Sequence, residues 1–401
     1  MATVANKALS FISVPVFTRL LTVEEYGVFN VFNSAVGISA VLLTMNTEVA
    51  ISRYYYDSEN QDDFKTFVGT SVRMSSLVFL VMSTLLILFS KRISKFLDFD
   101  LLLTISIIPV ALYNITNSIF QQIYQPMLAS RKIAIVTSIQ SYLAFGLSVV
   151  FILLLDDKKY FGQVWGTILA MVIIGMYMVK QISIYYTKSF DRNKVKYLLS
   201  YSLPNLPSSL SGIIIAEFGK LIISQEQSFE SAGLYSFAAN ISVLMMVFVS
   251  VVNSAWFPYY FKYMNEKDYN SIDNDYDLIW RVTLVCACGL SLYGYEIGAI
   301  LGRPQFLSGL HLVPILVIGY CFFQLSYIYI RNVAFAKKNI WNAAIIITSG
   351  LSNVILNSVL VGPFGAVGVA LSFLISYIIM FITRQIVNEF ILHLYAPSLK
   401  K

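Results

Sequence analysis

Long apolar segments, separated by short polar or charged connections, run along the whole chain. Twelve such segments can be drawn, and each approaches the roughly 20 residues that an α-helix needs to cross the hydrocarbon core of a bilayer. The segments are continuous and lack the strict alternation of a membrane β-barrel strand. The pattern therefore predicts an all-α, polytopic membrane protein with twelve transmembrane helices, at 4–21, 26–50, 66–90, 101–125, 133–155, 162–186, 203–224, 231–259, 279–301, 311–336, 340–361 and 365–391.

The composition agrees with this prediction. Hydrophobic residues make up 57% of the 401 residues and charged residues only 12%, whereas a soluble domain is roughly 25% charged. So few charges cannot cover the surface of a soluble globule, and a disordered chain would need low hydrophobicity. The net charge of +6 is spread over many loops rather than one basic face, so we expect no nucleic-acid binding.

Lys and Arg residues are distributed unequally between alternate connections, which predicts the orientation in the membrane. With the N-terminus in the cytoplasm, 19 of the 28 Lys and Arg residues fall on the cytoplasmic side and 8 on the other side. The remaining residue, Arg73, lies within the third predicted helix. We therefore expect a multi-pass protein of the cytoplasmic membrane with both termini in the cytoplasm.

The two halves of the chain repeat each other. Gly27 and Gly233 follow the same basic–apolar–acidic order of residues, and they are 206 positions apart. The pair at 131–132 recurs at 337–338 with the same offset. Six helices in each half would place the halves in the same orientation, with a substrate path where they meet. The predicted organisation is an N-terminal six-helix lobe at 1–187, a basic cytoplasmic linker at 188–202 and a C-terminal six-helix lobe at 203–401.

Polar side chains recur at helical spacing within several predicted helices. Asn114, Asn117 and Gln121 share one face of the fourth helix. Gln324 in the tenth helix and Asn353 in the eleventh belong to similar faces. Because amides that face lipid are costly, these faces should point towards other helices or towards water. Hydrogen bonding between helices can explain any single polar face. The recurrence of several polar faces in one chain favours a hydrated cavity.

Ionisable residues within the predicted helices are stronger candidates for a functional site than the amides, because charge inside a membrane marks such a site by default. Arg73 lies eight residues into the third helix, has no local partner and could bind a phosphate through its planar guanidinium. It could instead extend to the inner surface. Glu217 and Lys220 are three positions apart and can pair on one face of the seventh helix. The remaining candidates stand near helix ends: Glu48, Arg53 and Arg331.

Motifs of soluble catalysis are absent. The sequence contains no GxxxxGK[ST], HExxH or GxSxG motif, only two histidines, and three cysteines without a CxxC spacing. No connection exceeds about 25 residues, so a membrane glycosyltransferase, polymerase or ligase would lack its long catalytic loop. We therefore expect a protein that is not an enzyme and that needs neither a cofactor nor a metal.

Four stretches carry a family resemblance. The chain reads FISVPVFTRLLTVEEYGVFNVFNS at 11–34, EVAISRYYYDSEN at 48–60, YSLPNLPSSLSG at 201–212 and SAGLYSFAANI at 231–241. The first resembles the first-loop signature of the polysaccharide-repeat-unit flippases, of the O-antigen and capsule type, of the multidrug/oligosaccharidyl-lipid/polysaccharide (MOP) exporter superfamily. The second is similar to the Arg-aromatic-Tyr end of their second helix, and the other two to the start of their second half.

The resemblance implies two six-helix lobes around a central cavity and transport by alternating access. It implies a polyprenyl-diphosphate-linked oligosaccharide as substrate, turned from the inner to the outer leaflet for surface polysaccharide assembly, with membrane lipid and a polymerase or assembly protein as partners. By motif match, Arg19 and Arg53 are carried over as cavity residues. Cationic side chains would bind the diphosphate, and the polar helix faces would bind the sugars. Where the family often has Asp-Arg, this chain has Gly219-Lys220, so Glu217 would have to supply the acid.

One alternative shares the same fold. A cation-coupled antiporter of drugs or small molecules from this superfamily should carry an acidic residue deep in its first or second helix. Only Glu48 qualifies in this sequence, and it lies near a helix end.

Overall fold

The computed structural model describes residues 2–187 and 191–395, and these residues form helices and connections without any strand. They divide into two compact units, Met1–Leu210 and Ser211–Lys401. Residues 188–190 of the predicted linker lie outside the described residues. From Arg192 the chain is helical through Pro204 and Pro207 up to Glu226, and the boundary between the units falls within this helix.

The first unit holds six long helices, which we call the first to sixth spans. They are Ala2–Leu20, Val23–Thr44, Gln61–Leu88, Leu101–Tyr124, Ser130–Leu154 and Tyr160–Tyr185. Two short helices stand between spans, Ala50–Asp57 after the second span and Ser90–Leu97 after the third.

The seventh to twelfth spans follow. The seventh is Arg192–Glu226, the eighth is Phe229–Glu266, and the ninth is Tyr269–Leu292, continued after a bend of 56° by Gly294–Leu301. The tenth, Pro304–Phe335, begins with the 3₁₀ helix Pro304–Leu312. The last helix, Ile340–Ile391, contains Gly365 at a φ of 58°, and this kink divides it into the eleventh and twelfth spans.

The number of spans agrees with the sequence. Nine helices of the described residues are long and apolar enough to cross a bilayer, and the bent pair makes a tenth. The kink at Gly365 separates two spans within the last helix, and Ala2–Leu20 completes the set. The predicted all-α membrane fold with twelve transmembrane helices is therefore confirmed.

The internal repeat extends to the helix boundaries. Thr22 caps the second span: its hydroxyl accepts from the Glu25 N–H at 3.1 Å, and the Glu25 carboxylate accepts from the Thr22 N–H at 3.0 Å. Ser228, 206 positions later, caps the eighth span and accepts from the Ser231 N–H at 3.1 Å. Hydroxyl caps at matching positions fix where both helices begin.

One boundary differs from the sequence pattern in a way that matters for the site. The apolar run at 26–50 suggests a single helix, but the second span ends at Thr44. Met45 and Asn46 adopt positive φ angles of 48° and 54°, which an α-helix cannot contain. Residues 45–49 form a turn before the short helix Ala50–Asp57.

Glycines bring the fifth and sixth spans into backbone contact. A Cβ atom on Gly166 would lie 2.4 Å from the backbone nitrogen of Ser148, and one on Gly162 would lie 2.6 Å from that of Ile152. The Ser148 hydroxyl donates to the Gln163 carbonyl oxygen at 3.0 Å. Small residues that permit such close approach are a main source of helix association in lipid.

We expect Gly166→Ala to lower the free energy of unfolding by about 1–3 kcal/mol, because the new methyl group forces two backbones apart. Gly146→Ala is the matched control, since a Cβ there meets nothing within 4 Å. Thermal unfolding of the purified protein in detergent measures both. Equal melting temperatures for the two variants would contradict the backbone contact.

Candidate functional site

The unit Ser211–Lys401 contains a cavity of about 660 Å³ between its seventh, eighth, tenth, eleventh and twelfth spans. This volume lies within the range of small-molecule sites. Aromatic side chains form much of the wall: Tyr235, Tyr320, Phe323, Tyr327, Phe373 and Tyr377. Three charged residues also line it, Glu217, Lys220 and Arg384. An aromatic wall with a few convergent polar groups is typical of a ligand site.

Two of the sequence candidates form an ion pair in this cavity. The Lys220 Nζ donates to Glu217 Oε2 at 2.8 Å, one helical turn away on the seventh span. Gly219 stands between them, and a Cβ there would lie 2.4 Å from the Val369 side chain. A larger residue at this position would push the twelfth span away. The acid beside the Lys220 ammonium group is Glu217, one helical turn earlier.

Arg384 is the third charged group of the cavity, and it is not among the site candidates that the sequence indicates. Its side chain is 2% exposed, its guanidinium lies 5.9 Å from the Phe323 ring centroid, and its Nη1 donates to the Ser326 hydroxyl. The Nε atom has no hydrogen-bond partner among the described residues. A signal existed in the sequence, because Arg384 lies inside the apolar run 365–391.

The charged groups lie at opposite ends of the cavity. Gly219 is level with Val369, as their close contact shows, and Arg384 follows Val369 by fifteen positions on the twelfth span. A rise of 1.5 Å per residue separates Lys220 and Arg384 by roughly 20 Å along the helix axis. Phe373 and Tyr377 stand between these ends with ring centroids 4.7 Å apart. The cavity therefore runs lengthwise, with aromatic rings between the Glu217–Lys220 ion pair at one end and the Arg384 guanidinium at the other.

Gln324 and Arg331 meet outside the cavity wall, at Asn253 of the eighth span. The Asn253 Nδ2 donates to Gln324 Oε1 at 2.5 Å, and Arg331 Nη2 donates to the Asn253 carbonyl oxygen at 2.5 Å. The guanidinium of Arg331 lies 4.7 Å from the Trp256 ring centroid. All of these side chains are buried. Nothing in the sequence relates Asn253 to Arg331, which lies 78 positions further along the chain.

Asn353 also lies in a contact between helices. Its Nδ2 donates to the Ser376 hydroxyl of the twelfth span at 3.1 Å, and its Oδ1 accepts from Asn357 at 2.8 Å. These side chains are buried, and Asn353 does not line the cavity. The polar face of the eleventh span is therefore used for hydrogen bonds within the helix pair.

In the first unit, Arg73 has a hydrogen-bond partner that is distant from it in the sequence. Its Nε donates to the Tyr186 hydroxyl at 3.1 Å, and the guanidinium lies 5.8 Å from the Tyr186 ring centroid. A Cβ on Gly69, one turn earlier, would lie 2.4 Å from the Thr187 carbonyl oxygen. The chain after the sixth span thus runs beside Arg73. The third span begins at Gln61, before the apolar run at 66–90. Arg73 is therefore level with the end of the sixth span.

Glu48 lies in the turn after the second span and is 5% exposed. The Ser118 hydroxyl donates to its Oε1 at 3.2 Å, and its Oε2 has no hydrogen-bond partner among the described residues. Arg53 is exposed and pairs with Asp57 at 3.3 Å. Arg19 is exposed at the end of the first span.

The fourth-span candidates share a half-buried face. Gln121 Nε2 donates to Asn117 Oδ1 at 3.2 Å, and Asn114 is half-buried one turn before Asn117. As for metals, no group of three His, Cys, Asp or Glu side chains among the described residues could hold an ion.

Solved structures share this fold. A structure of the lipid II flippase MurJ in an inward closed conformation matches with a TM-score of 0.75 and 15% identity, over 96% of this chain and 85% of that chain. An inward-facing multidrug resistance MATE family transporter of the MOP superfamily matches with a TM-score of 0.70 and 14% identity, over 94% and 92%. The chain therefore shares its fold with both of these proteins.

The chain belongs to the polysaccharide biosynthesis protein family, which matches residues 1–264. A product of the Lsg locus of Haemophilus influenzae is 21% identical over 275 residues, 66% of this chain and 64% of that protein. The chain thus spans slightly less than two thirds of that relative. A Haloferax volcanii protein named as a low-salt glycan biosynthesis flippase, Agl15, is 21% identical over 384 residues, 94% of this chain and 79% of that protein. The family predicted by resemblance is confirmed.

We expect Asn353→Ala to lower the free energy of unfolding by about 1–2 kcal/mol, because it removes two interactions between buried polar groups. Ser352→Ala is the control, since the Ser352 hydroxyl bonds only to the Thr348 carbonyl oxygen of its own helix among the described residues. Unfolding in mixed detergent micelles measures the difference. A loss for Ser352→Ala as large as that for Asn353→Ala would show that the Asn353 contacts contribute nothing specific.

Proposed function

We propose that this protein is a flippase that turns a polyprenyl-diphosphate-linked oligosaccharide from the inner to the outer leaflet of the cytoplasmic membrane, by alternating access. The product would enter surface polysaccharide assembly, where a polymerase or other assembly protein would receive it. Family membership, the relative named as a flippase and the fold shared with the lipid II flippase support this proposal. We infer transport without a covalent step.

The observation that carries the proposal is the sign of the charge in the cavity. Lys220 and Arg384 outnumber Glu217 among the charged residues that line it. Lys220 is already neutralised by Glu217, whereas the partners of Arg384 among the described residues, the Ser326 hydroxyl and the Phe323 ring, are neutral and leave its Nε–H group unused. A buried cation without a counter-charge costs several kcal/mol. A diphosphate would offset that cost, because guanidinium groups bind phosphate oxygens in pairs.

The rest of the cavity suits the sugars of such a substrate. The apolar face of a sugar ring packs on aromatic rings, and the hydroxyl groups of Tyr235, Tyr320 and Tyr327 can hydrogen-bond with the sugar. The polyprenyl chain would remain in lipid. With the N-terminus in the cytoplasm, the twelfth span descends towards the cytoplasm, so Arg384 would meet the diphosphate at the cytoplasmic end.

We expect Arg384→Met to reduce the initial rate of flipping by about tenfold or more, because a charge-assisted hydrogen bond contributes about 1.5–3 kcal/mol. The melting temperature should stay the same or rise, because Met removes a buried charge that lacks a counter-ion. Flipping of a fluorescent, short-chain lipid-linked oligosaccharide in proteoliposomes measures the rate. Arg281→Met is the control, since Arg281 is exposed and pairs with Asp277. Wild-type flipping by the Arg384 variant would refute the proposed site.

The orientation can be tested separately. In a variant without native cysteines, Lys338→Cys should react with an impermeant maleimide only from the cytoplasmic side, and Lys158→Cys only from the outer side. Both positions lie in connections between spans. Reversed labelling would place the termini outside and would move Arg384 to the outer end of the cavity.

A second candidate function is a cation-coupled antiporter of drugs or other small molecules. The buried Glu48 carboxylate, with one oxygen that lacks a hydrogen-bond partner among the described residues, favours this candidate. The fold shared with a multidrug resistance transporter agrees with it. Efflux of a cationic dye by the purified protein, abolished in Glu48→Gln, would overturn the flippase proposal.

A further inference from the structure

The unit Met1–Leu210 contains a cavity of its own, of about 530 Å³. It lies where the connection at 58–60, the residues after the fourth span and the end of the sixth span meet. By the distribution of Lys and Arg, these connections face the cytoplasm. The cavity is therefore at the level of the inner leaflet surface, and nothing in the proposed transport site uses it.

Aromatic rings form a fixed wall in this cavity. The Phe64 ring lies between Tyr55 and Tyr185, with edge-on contacts of 5.2 Å and 6.4 Å between ring centroids. Tyr185 also packs against Tyr124 at 5.8 Å. Tyrosines are common at membrane surfaces as anchors in the headgroup layer. These rings instead pack on one another and line a cavity, so anchoring does not explain their arrangement.

The polar part of the wall comes from the chain around the start of the third span. Ser58, Asn60 and Gln61 bring a hydroxyl and two amides to the cavity. Hydroxyl and amide groups can each donate and accept hydrogen bonds, as the hydroxyls of a sugar require. Rings on one side and amides on the other fit an amphipathic sugar better than a lipid chain.

Lys65 alone is charged among the described residues that line this cavity. Its ion pair with Asp62 is long, at 3.6 Å, and the Asp62 side chain is 92% exposed, so water screens the pair strongly. The neighbouring Asp63 is engaged elsewhere, because Lys194 Nζ donates to its Oδ1 at 2.6 Å. The Tyr54 hydroxyl also donates to Asp63. Burial of Tyr54 and, to a smaller extent, this hydrogen bond raise the pKa of Tyr54 above its usual value.

A second cation stands behind the aromatic wall. Lys132 Nζ lies 3.9 Å from the Tyr124 ring centroid and donates to Gln181 Oε1 at 2.6 Å. Its partners in these contacts are neutral, and its positive charge acts on Tyr185, which lines the cavity. Lys65 and Lys132 together favour an anionic group beside the rings and amides.

We propose that this cavity binds the glycosyl-phosphate headgroup of the lipid-linked substrate before transport. The sugar packs against Tyr55 and Tyr185 and hydrogen-bonds to Gln61, while Lys65 binds the phosphate. This inference rests on the proposed function and adds to it a first docking site in the unit Met1–Leu210. The phosphate is the part that the headgroup shares with other lipids, and the sugar is the part that distinguishes it.

The test measures equilibrium binding to the full chain in lipid nanodiscs, in the Arg384→Met background so that the other cavity contributes little. The probes are farnesyl diphosphate linked to N-acetylglucosamine, and farnesyl diphosphate without a sugar. Tyr185→Leu removes a ring and Lys65→Gln removes the charge. Tyr295→Leu and Lys180→Gln are matched controls at exposed positions that do not line this cavity.

We expect Tyr185→Leu to weaken binding of the sugar-bearing probe about tenfold and to leave the sugar-free probe unchanged, whereas Lys65→Gln should weaken both about tenfold. Tyr185→Phe should bind like the wild type, which keeps the test valid if the Leu variant fails to fold. Equal effects of Tyr185→Leu on both probes would mean a site for lipid phosphate only and would overturn the proposal. Wild-type affinities in both variants would overturn it as well.

The proteoliposome assay separates this inference from the proposed function. If the wild-type chain flips the substrate but the Tyr185 and Lys65 variants keep full affinity, the docking site is wrong and the flippase stands. If the wild-type chain does not flip any lipid-linked oligosaccharide, the proposed function is wrong, whatever the variants bind.

Discussion

The cost of a charge in an apolar interior is the constraint on which the rest of this structure depends. Three cations of the second unit, Lys220, Arg331 and Arg384, meet that cost differently. Lys220 has a carboxylate on its own helix, and Arg331 has the Asn253 carbonyl oxygen and the Trp256 ring. Arg384 has the Ser326 hydroxyl and the Phe323 ring, and it is the one of the three that faces a cavity without a carboxylate partner among the described residues. The same physics that makes a buried guanidinium without a counter-charge unfavourable makes Arg384 an attractive partner for an anion.

Close packing decides which of these groups can meet. Gly219 lets the twelfth span approach the seventh, and this contact sets the height of Arg384 relative to the Glu217–Lys220 pair. Gly365, with its positive φ, ends one span and begins the next, and a Cβ there would meet the Gln227 side chain. Small residues therefore do more than allow association in lipid, because they fix the distance between the two ends of the cavity.

The two units share a plan and differ in chemistry. Thr22 and Ser228 start equivalent helices 206 positions apart, so local signals alone reproduce the repeat. The side chains that line the cavities follow no such rule. One unit has aromatic rings between Lys220 and Arg384, and the other has aromatic rings and amides beside Lys65. A repeat constrains backbone boundaries through caps, whereas cavity residues are free to diverge once packing is satisfied.

The sequence by itself determined the helical membrane fold, the number of spans and the Glu217–Lys220 pair, because hydropathy and helical spacing act within one segment. It could not determine that Arg73 bonds to Tyr186, 113 positions away, or that Arg331 bonds to Asn253. Those contacts depend on how deep neighbouring helices sit against each other. Spacing along a helix assigns a residue to a face, but only the packed structure decides whether that face meets a partner helix, a cavity or lipid.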